Sequence, residues 1–168
     1  MPGTYIKPKA YNRRFFIDIG TSETPKWVEL ARGIASRSNS FTEETENYYY
    51  MDGRGTAETD ATTQTVTRTF SGNRVIGDEA QDYLFFDNVY NLDGRVVPFM
   101  EFYDNMETGK ENGWKGTYTL SISDDGSGDA TARETVGINA SINGIPERGT
   151  VTLSDGVPTF SPASTLSV

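Results

Sequence analysis

The chain has 168 residues, no cysteine, no histidine and a net charge of −9. That length suits one compact domain whose core needs no disulfide or metal staple, and the missing residue types exclude thiolate nucleophiles, Cys/His zinc sites and Ser-His or Cys-His catalytic pairs. The charge is uneven, with seven Lys/Arg and three Asp/Glu in 1–37 (net +4) against eight and twenty-one in 38–168 (net −13), so the acidic body repels nucleic-acid phosphate.

Residues 1–13 read as an N-terminal arm, and no apolar run follows their basic residues as a leader requires. No stretch approaches the roughly 18 apolar residues of a membrane span. A β domain is expected over 14–160. Phe15, Ile17 and Ile19 share one face of a first strand. The stretch 38–61 is read as a long acidic loop: Glu43, Glu44, Glu46, Asp52, Glu58 and Asp60 stand against Arg54 alone, with Tyr48, Tyr49 and Tyr50 in the middle. It is too long and polar for an ordinary hairpin loop, yet its tyrosines gain from contact with something.

Thr63, Thr65, Thr67 and Thr69 then alternate with Gln64, Val66, Arg68 and Phe70, a period of two. After the Gly77 break, Asp78 is an N-cap candidate with acids in the first turn, and Ala80, Tyr83 and Leu84 follow helical spacing. One flanking helix is expected over about 78–89. Val96, Pro98, Met100 and Phe102 share a strand face, and the proline places that strand at an edge or irregularity. Trp114, Tyr118, Leu120 and Ile122 alternate with Lys115, Thr117, Thr119, Ser121 and Ser123. Across 132–142, Val136, Ile138, Ala140 and Ile142 alternate with Thr135, Gly137, Asn139 and Ser141. Both read as half-buried strands. Asp155-Gly156 predicts a two-residue turn between Val151-Leu153 and Val157-Phe160, and 161–168 reads as a C-terminal tail.

Candidate chemistry is thin. Twenty-four acids place some pair at a hydrolase-like spacing by chance alone. Asp124–Asp129 lacks the ligand alternation and distal Glu of a calcium loop, and a plain turn between strands accounts for it. Gly53-Arg54-Gly55 has no following Lys-Ser/Thr and is no phosphate loop. Trp27, Trp114 and the tyrosines leave a sugar platform open, although Trp114 begins a clean alternating strand. No catalytic, cofactor-binding or metal-ligating residue is assigned, and no enzyme activity is expected.

An ordered set of short segments carries a family resemblance over roughly 14–155. It runs Trp27-Val28-Glu29-Leu30-Ala31-Arg32-Gly33-Ile34, then Tyr50-Met51-Asp52-Gly53-Arg54-Gly55, Thr69-Phe70-Ser71-Gly72-Asn73-Arg74, Gly77-Asp78-Glu79-Ala80-Gln81-Asp82-Tyr83 and Trp114-Lys115-Gly116-Thr117. This order resembles the major tail tube proteins of long-tailed, siphovirus-like bacteriophages of Gram-positive bacteria. The resemblance implies a mainly β fold, a barrel or two packed antiparallel sheets with one flanking helix, and a structural virion protein. Its subunits form homo-hexameric rings that stack into a hollow tube through which DNA is ejected without specific binding.

The resemblance further implies assembly in the host bacterial cytoplasm, no membrane, no cofactor, and a tail tip initiator, tape-measure protein and terminator as partners. The acidic segment Glu43–Asp60 becomes the inter-ring loop, and Lys7, Lys9, Arg13 and Arg14 become candidate subunit contacts. Thr63, Thr65, Thr67, Thr69, Thr135, Asn139 and Ser141 become candidates for the lumen face, with Arg133 paired or turned away. The inner tube of a contractile tail or secretion-type particle, a carbohydrate-binding β-sandwich and a carboxylate-only hydrolase stay as alternatives.

Overall fold

The structure is a computed structural model describing residues 5–164. Residues 1–4 of the expected arm and 165–168 of the expected tail lie outside the described residues. Eight strands form: β1 (Arg13–Asp18), β2 (Trp27–Glu29), β3 (Ile34–Tyr49), β4 (Ala57–Asn73), β5 (Val96–Tyr103), β6 (Gly113–Ser127), β7 (Thr135–Ser154) and β8 (Val157–Pro162). They pair antiparallel in one eight-stranded sheet of order β2-β1-β5-β6-β7-β4-β3, with β8 on the free stretch of β7.

The sheet curls on itself. Phe15 of β1 and Phe70 of β4 stand four strands apart, about 19 Å in a flat sheet at ~4.8 Å per strand, yet their rings meet edge to face at 5.1 Å. The inner face holds the main core: Phe15, Ile17, Phe70, Val97, Phe99, Tyr118, Leu120, Val136, Ile138 and Ala140 are buried there. Phe99 stacks on Tyr118 with 3.8 Å between centroids. Each such aromatic contributes about 1.5–3 kcal/mol through area removed from water. A smaller cluster of Phe16, Met100, Phe102 and Val151 lies on the opposite face, with Trp27 and Phe160 packed against it.

The mainly β expectation holds, and the choice between a barrel and two sheets resolves as one curled sheet. Several details differ from the sequence reading. Residues 38–61 form no irregular loop. They are the outer halves of β3 and β4, a long two-stranded arm paired from Ser38↔Thr69 to Tyr49↔Ala57 and closed by a turn at 51–55. The arm is almost wholly exposed. With water on both faces, no apolar/polar alternation marks it as strand.

The expected helix is shorter and irregular. Asp78 caps it, its carboxylate accepting from the Gln81 amide at 3.1 Å. Four α-helical residues, Glu79–Asp82 (α1), pass into a π-helical turn over Tyr83–Asp87. Asn88 closes the wide turn, donating its backbone N–H to the Tyr83 carbonyl at 3.1 Å and its side-chain amide at 2.8 Å. Ala80, Leu84 and Phe85 enter the main core.

On β5 the face entering the core is Val97 and Phe99, with Glu101; Met100 and Phe102 are buried on the other side, so the strand is covered on both faces. Strands expected at 132–142 and 151–153 are one 20-residue strand, β7, starting at Thr135. Asp155-Gly156 makes the expected turn, both residues at positive φ (49° and 80°). Strand β8 runs on through Ser161 and Pro162, two residues into the expected tail.

Candidate functional site: a polar wall, an acidic arm and an open seam

The outer face of β6, β7, β4 and β3 is a wall of small neutral polar side chains. Register puts Thr119, Ser141, Thr67 and Ser40 in one row across the strands, and Ser121, Asn139, Thr69 and Ser38 in the next. Ser36 and Ser71 continue it, their hydroxyls 2.7 Å apart. The rows are bonded laterally: Thr69 donates to the Asn139 side-chain carbonyl at 2.8 Å, Thr67 and Ser141 hydroxyls lie 3.2 Å apart, and the Asn143 amide donates to Thr119 at 2.8 Å. No charged side chain falls within these rows. Strand alternation explains this, since the apolar half of each strand is committed to the core and Ser, Thr and Asn fill the other half.

Of the residues expected on a polar face, Thr67, Thr69, Asn139 and Ser141 meet here. Thr63 and Thr65 lie farther out on the arm. Thr135 sits at the start of β7, donating to Asp124 at 2.6 Å. Asp124 also accepts from the Ser127 hydroxyl at 2.7 Å and amide at 3.0 Å and from the Gly126 amide at 3.2 Å. These bonds, led by that from Thr135, hold its carboxyl at about 2. The turn thus satisfies its own acid, and no group of three or more metal-ligating side chains occurs among the described residues. Arg133 is exposed in the 128–134 loop, outside the wall.

The arm extends about 30 Å beyond the last body ladder, counting nine residues from Ser40 to Tyr49 at ~3.4 Å each. Its faces alternate. Tyr48 and Tyr50 stack on one side, centroids 6.4 Å apart, and the Tyr48 hydroxyl donates to Glu46 at 2.8 Å. Glu43 takes a hydrogen bond from Gln64 across the strands at 2.9 Å. At the tip Tyr49, Tyr50 and Met51 are 67%, 51% and 99% exposed. Asp52, Arg54, Glu58 and Asp60 are exposed around and behind them.

The sheet does not close between its end strands β2 and β3, which diverge from the 30–33 connection. In the wedge between β1 and β3 lies a cavity of about 350 Å³, with Phe15, Leu30, Ile34 and Phe70 as its apolar lining and Arg13, Arg37 and the mutually neutralised Arg14 and Glu29 as its charged lining. Behind it Glu101, only 2% exposed, accepts from Arg13 at 2.7 Å, from Arg68 at 3.0 and 3.3 Å and from the Tyr118 hydroxyl at 3.1 Å. Burial opposes ionisation of Glu101, but the Arg68 hydrogen bond and the Arg13 and Arg68 charges outweigh it and hold its carboxyl below the usual range.

Arg37 has no acid partner among the described residues, and its guanidinium lies 4.8 Å from the Phe15 ring centre. Burial, then the cations of Arg13 and Arg68, lower its pKa from the ordinary value. Sequence reading grouped Arg13 and Arg14 with Lys7 and Lys9. The structure separates them: Arg13 is held by Glu101, Arg14 makes a bidentate pair with Glu29 at 2.8 Å, and Lys7 and Lys9 stay exposed. Arg37, Arg68 and Glu101 were missed. An acid within the apolar run Val97–Phe102 was the available signal.

No protein-family model and no curated protein sequence matches the chain. Solved structures do match in fold. A chain of the virion of a native gene transfer agent particle aligns at TM-score 0.59 with 15% identity, covering 86% of this chain and all of that one. A chain from the tail of an empty gene transfer agent particle, refined helically with C6 symmetry, aligns at 0.58 with 16% identity over 83% and 97%. The tube-terminating cap of the anti-feeding prophage aligns at 0.51 with 18% identity over 97% and 95%. The chain therefore has the fold of proteins from phage-like tails and their caps.

Proposed function

We propose that this chain is a structural, non-enzymatic subunit of a phage-like tail tube, forming sixfold rings that stack around a DNA-conducting lumen. The observation that carries this reading is the alignment with a chain of a C6-symmetric tail over 83% of this chain and 97% of that one. Three features of the subunit support it. Strand β3 leaves one edge unpaired over 16 residues, a template for sheet continuation into a neighbour. The arm holds Tyr49 and Tyr50 exposed, beyond the reach of the subunit's own body. The neutral wall, flanked by the acidic arm, offers DNA no cation to grip.

On this reading the wall lines the lumen, the arm makes the inter-ring contact, and Lys7 and Lys9 meet acids of a neighbouring subunit. The particle is the tail of a long-tailed phage of Gram-positive bacteria, assembled in the host cytoplasm on a tail tip, around a tape-measure protein and under a terminator. Electron microscopy of concentrated full-length protein, alone and with tail tips, tests it. Hollow tubes with sixfold end views are expected. A monomer that stays inert towards tips at high concentration overturns the proposal. The match to a tube-terminating cap favours a second reading, a cap subunit. A cap forms single rings that block tube growth, whereas a tube subunit elongates.

A further inference from the structure

The cationic seam is under-neutralised. Three guanidiniums, Arg13, Arg37 and Arg68, crowd one carboxylate, Glu101. The Nε–H groups of Arg13 and Arg37 are buried with no acceptor among the described residues. A buried donor left unpaired costs on the order of 1–3 kcal/mol, and a bidentate carboxylate is the group that fits a guanidinium fork. The cavity beside them has an apolar floor and opens to solvent between the sheet's end strands, so its guest carries both an acid and an apolar or aromatic side chain.

We infer that this seam is a receptor for the arm tip of a second copy of the chain, Tyr49–Asp52, with Asp52 on Arg13 and Arg37 and the Tyr/Met side chains on the Phe15–Phe70 floor. This rests on the tube reading and names the contact it requires. The tip has the matching chemistry: three exposed apolar residues followed by an acid, on an arm bearing five further acids against Arg54. Geometry excludes the chain's own tip. Arg37 and Tyr49 lie on the same strand twelve residues apart, about 40 Å at ~3.4 Å per residue, and the β3–β4 ladder holds that strand extended. A receptor at one end of a strand and a plug at the other make a head-to-tail contact, which propagates as an open stack.

The test uses full-length subunit and a labelled peptide spanning 43–60, cyclised through added terminal cysteines. Fluorescence anisotropy at low salt should show capture by the wild-type subunit, weakened at least tenfold by Arg37→Ala or by Asp52→Asn in the peptide. The thermal midpoint of the Arg37→Ala subunit should stay close to that of the wild type, because the lost cation has no acid partner among the described residues and relief of its repulsion by Arg13 and Arg68 offsets the lost contact with the Phe15 ring. Absence of wild-type capture, or capture indifferent to Arg37→Ala, overturns the inference. So does displacement of the peptide by an equimolar dT oligonucleotide, which assigns the cations to phosphate. Normal tubes from Arg37→Ala subunits overturn the receptor and leave the tube reading standing. Arg37-dependent capture by a protein that never forms rings or tubes does the reverse.

Discussion

Glu101 is the residue on which the curled sheet turns, because it ties β5 to β1 and β4 across the interior. Removing its charge strands two largely buried guanidiniums, so Glu101→Gln is expected to cost about 3–5 kcal/mol in urea unfolding at neutral pH. Tyr118→Phe, which removes only one hydrogen bond to Glu101, is expected to cost about 1 kcal/mol. The folded-state pKa of Glu101 lies below its unfolded value. Its stabilisation is therefore fully present above the unfolded carboxyl pKa, about 4.3, and is lost as pH falls through the lower folded value. Asp124 titrates in the same sense but is solvent-exposed. Carboxyl ¹³C shifts should give its midpoint at about 2, and Thr135→Val, which removes the strongest bond to it, should raise that midpoint. A midpoint at the ordinary aspartate value contradicts the bonding described for the β6–β7 turn. The core strands were legible in the sequence where one face is apolar, as in Tyr118-Leu120-Ile122 and Val136-Ile138-Ala140. Glu101 was not, because period-two reading assigns an acid to water and cannot see its arginine partners 33 and 88 residues away.

At the scale of the element, the tube reading gives the arm a part in assembly and little part in folding. Nearly every residue of 43–61 is exposed, so replacing this segment by Asn-Gly is expected to shift subunit stability by no more than about 0.5 kcal/mol while abolishing stacking. A two-stranded hairpin without further support is marginal in water. Backbone ordering costs about 1–2 kcal/mol per residue, and few contacts offset it here. Amides from Glu43 to Asp60 should exchange rapidly in the free subunit and become protected in tubes. Equal protection in both forms contradicts the arm's role. The acids and tyrosines of this segment were visible in the sequence, but its strand pairing was not, since a hairpin with two wet faces has no hydrophobic period. The helix shows the opposite case. Its Asp78 cap and Ala80 and Leu84 packing were legible, whereas the π-helical turn depends on Asn88 reaching the Tyr83 carbonyl, a contact that no residue spacing announces.

At the scale of the whole molecule, charge is sorted locally. Arg13, Arg37 and Arg68 gather around Glu101, six acids stand on the arm against Arg54, and the wall of Ser, Thr and Asn is neutral. The curl producing this sorting was not legible in the sequence, because it is fixed by pairings such as Phe16↔Met100 and Thr69↔Asn139 between distant segments. The polar halves of β6, β7 and the body part of β4 were, as Thr119-Ser121, Asn139-Ser141 and Thr67-Thr69 show. If the wall lines a sixfold lumen, one substitution is copied six times per ring and again in every ring. Asn139→Lys, or Thr69→Lys beside it, adds a ring of ammonium groups at each level. A cation that neutralises a phosphate strengthens binding in proportion to the counterions released, and the effect multiplies with the number of contacts. The half-exposed wall accommodates a lysine stem, so these variants are expected to fold and assemble as the wild type does. DNA ejection from particles built with them should slow several-fold at low salt and recover as salt rises, because screening over about 10 Å at 0.1 M weakens each contact. Asn139→Asp adds charge of the same sign as DNA and should leave the rate near wild type, which separates a cation effect from a packing effect. Wild-type ejection by intact Lys-variant tails at low salt overturns the assignment of this face to the lumen, even where the tube itself is seen.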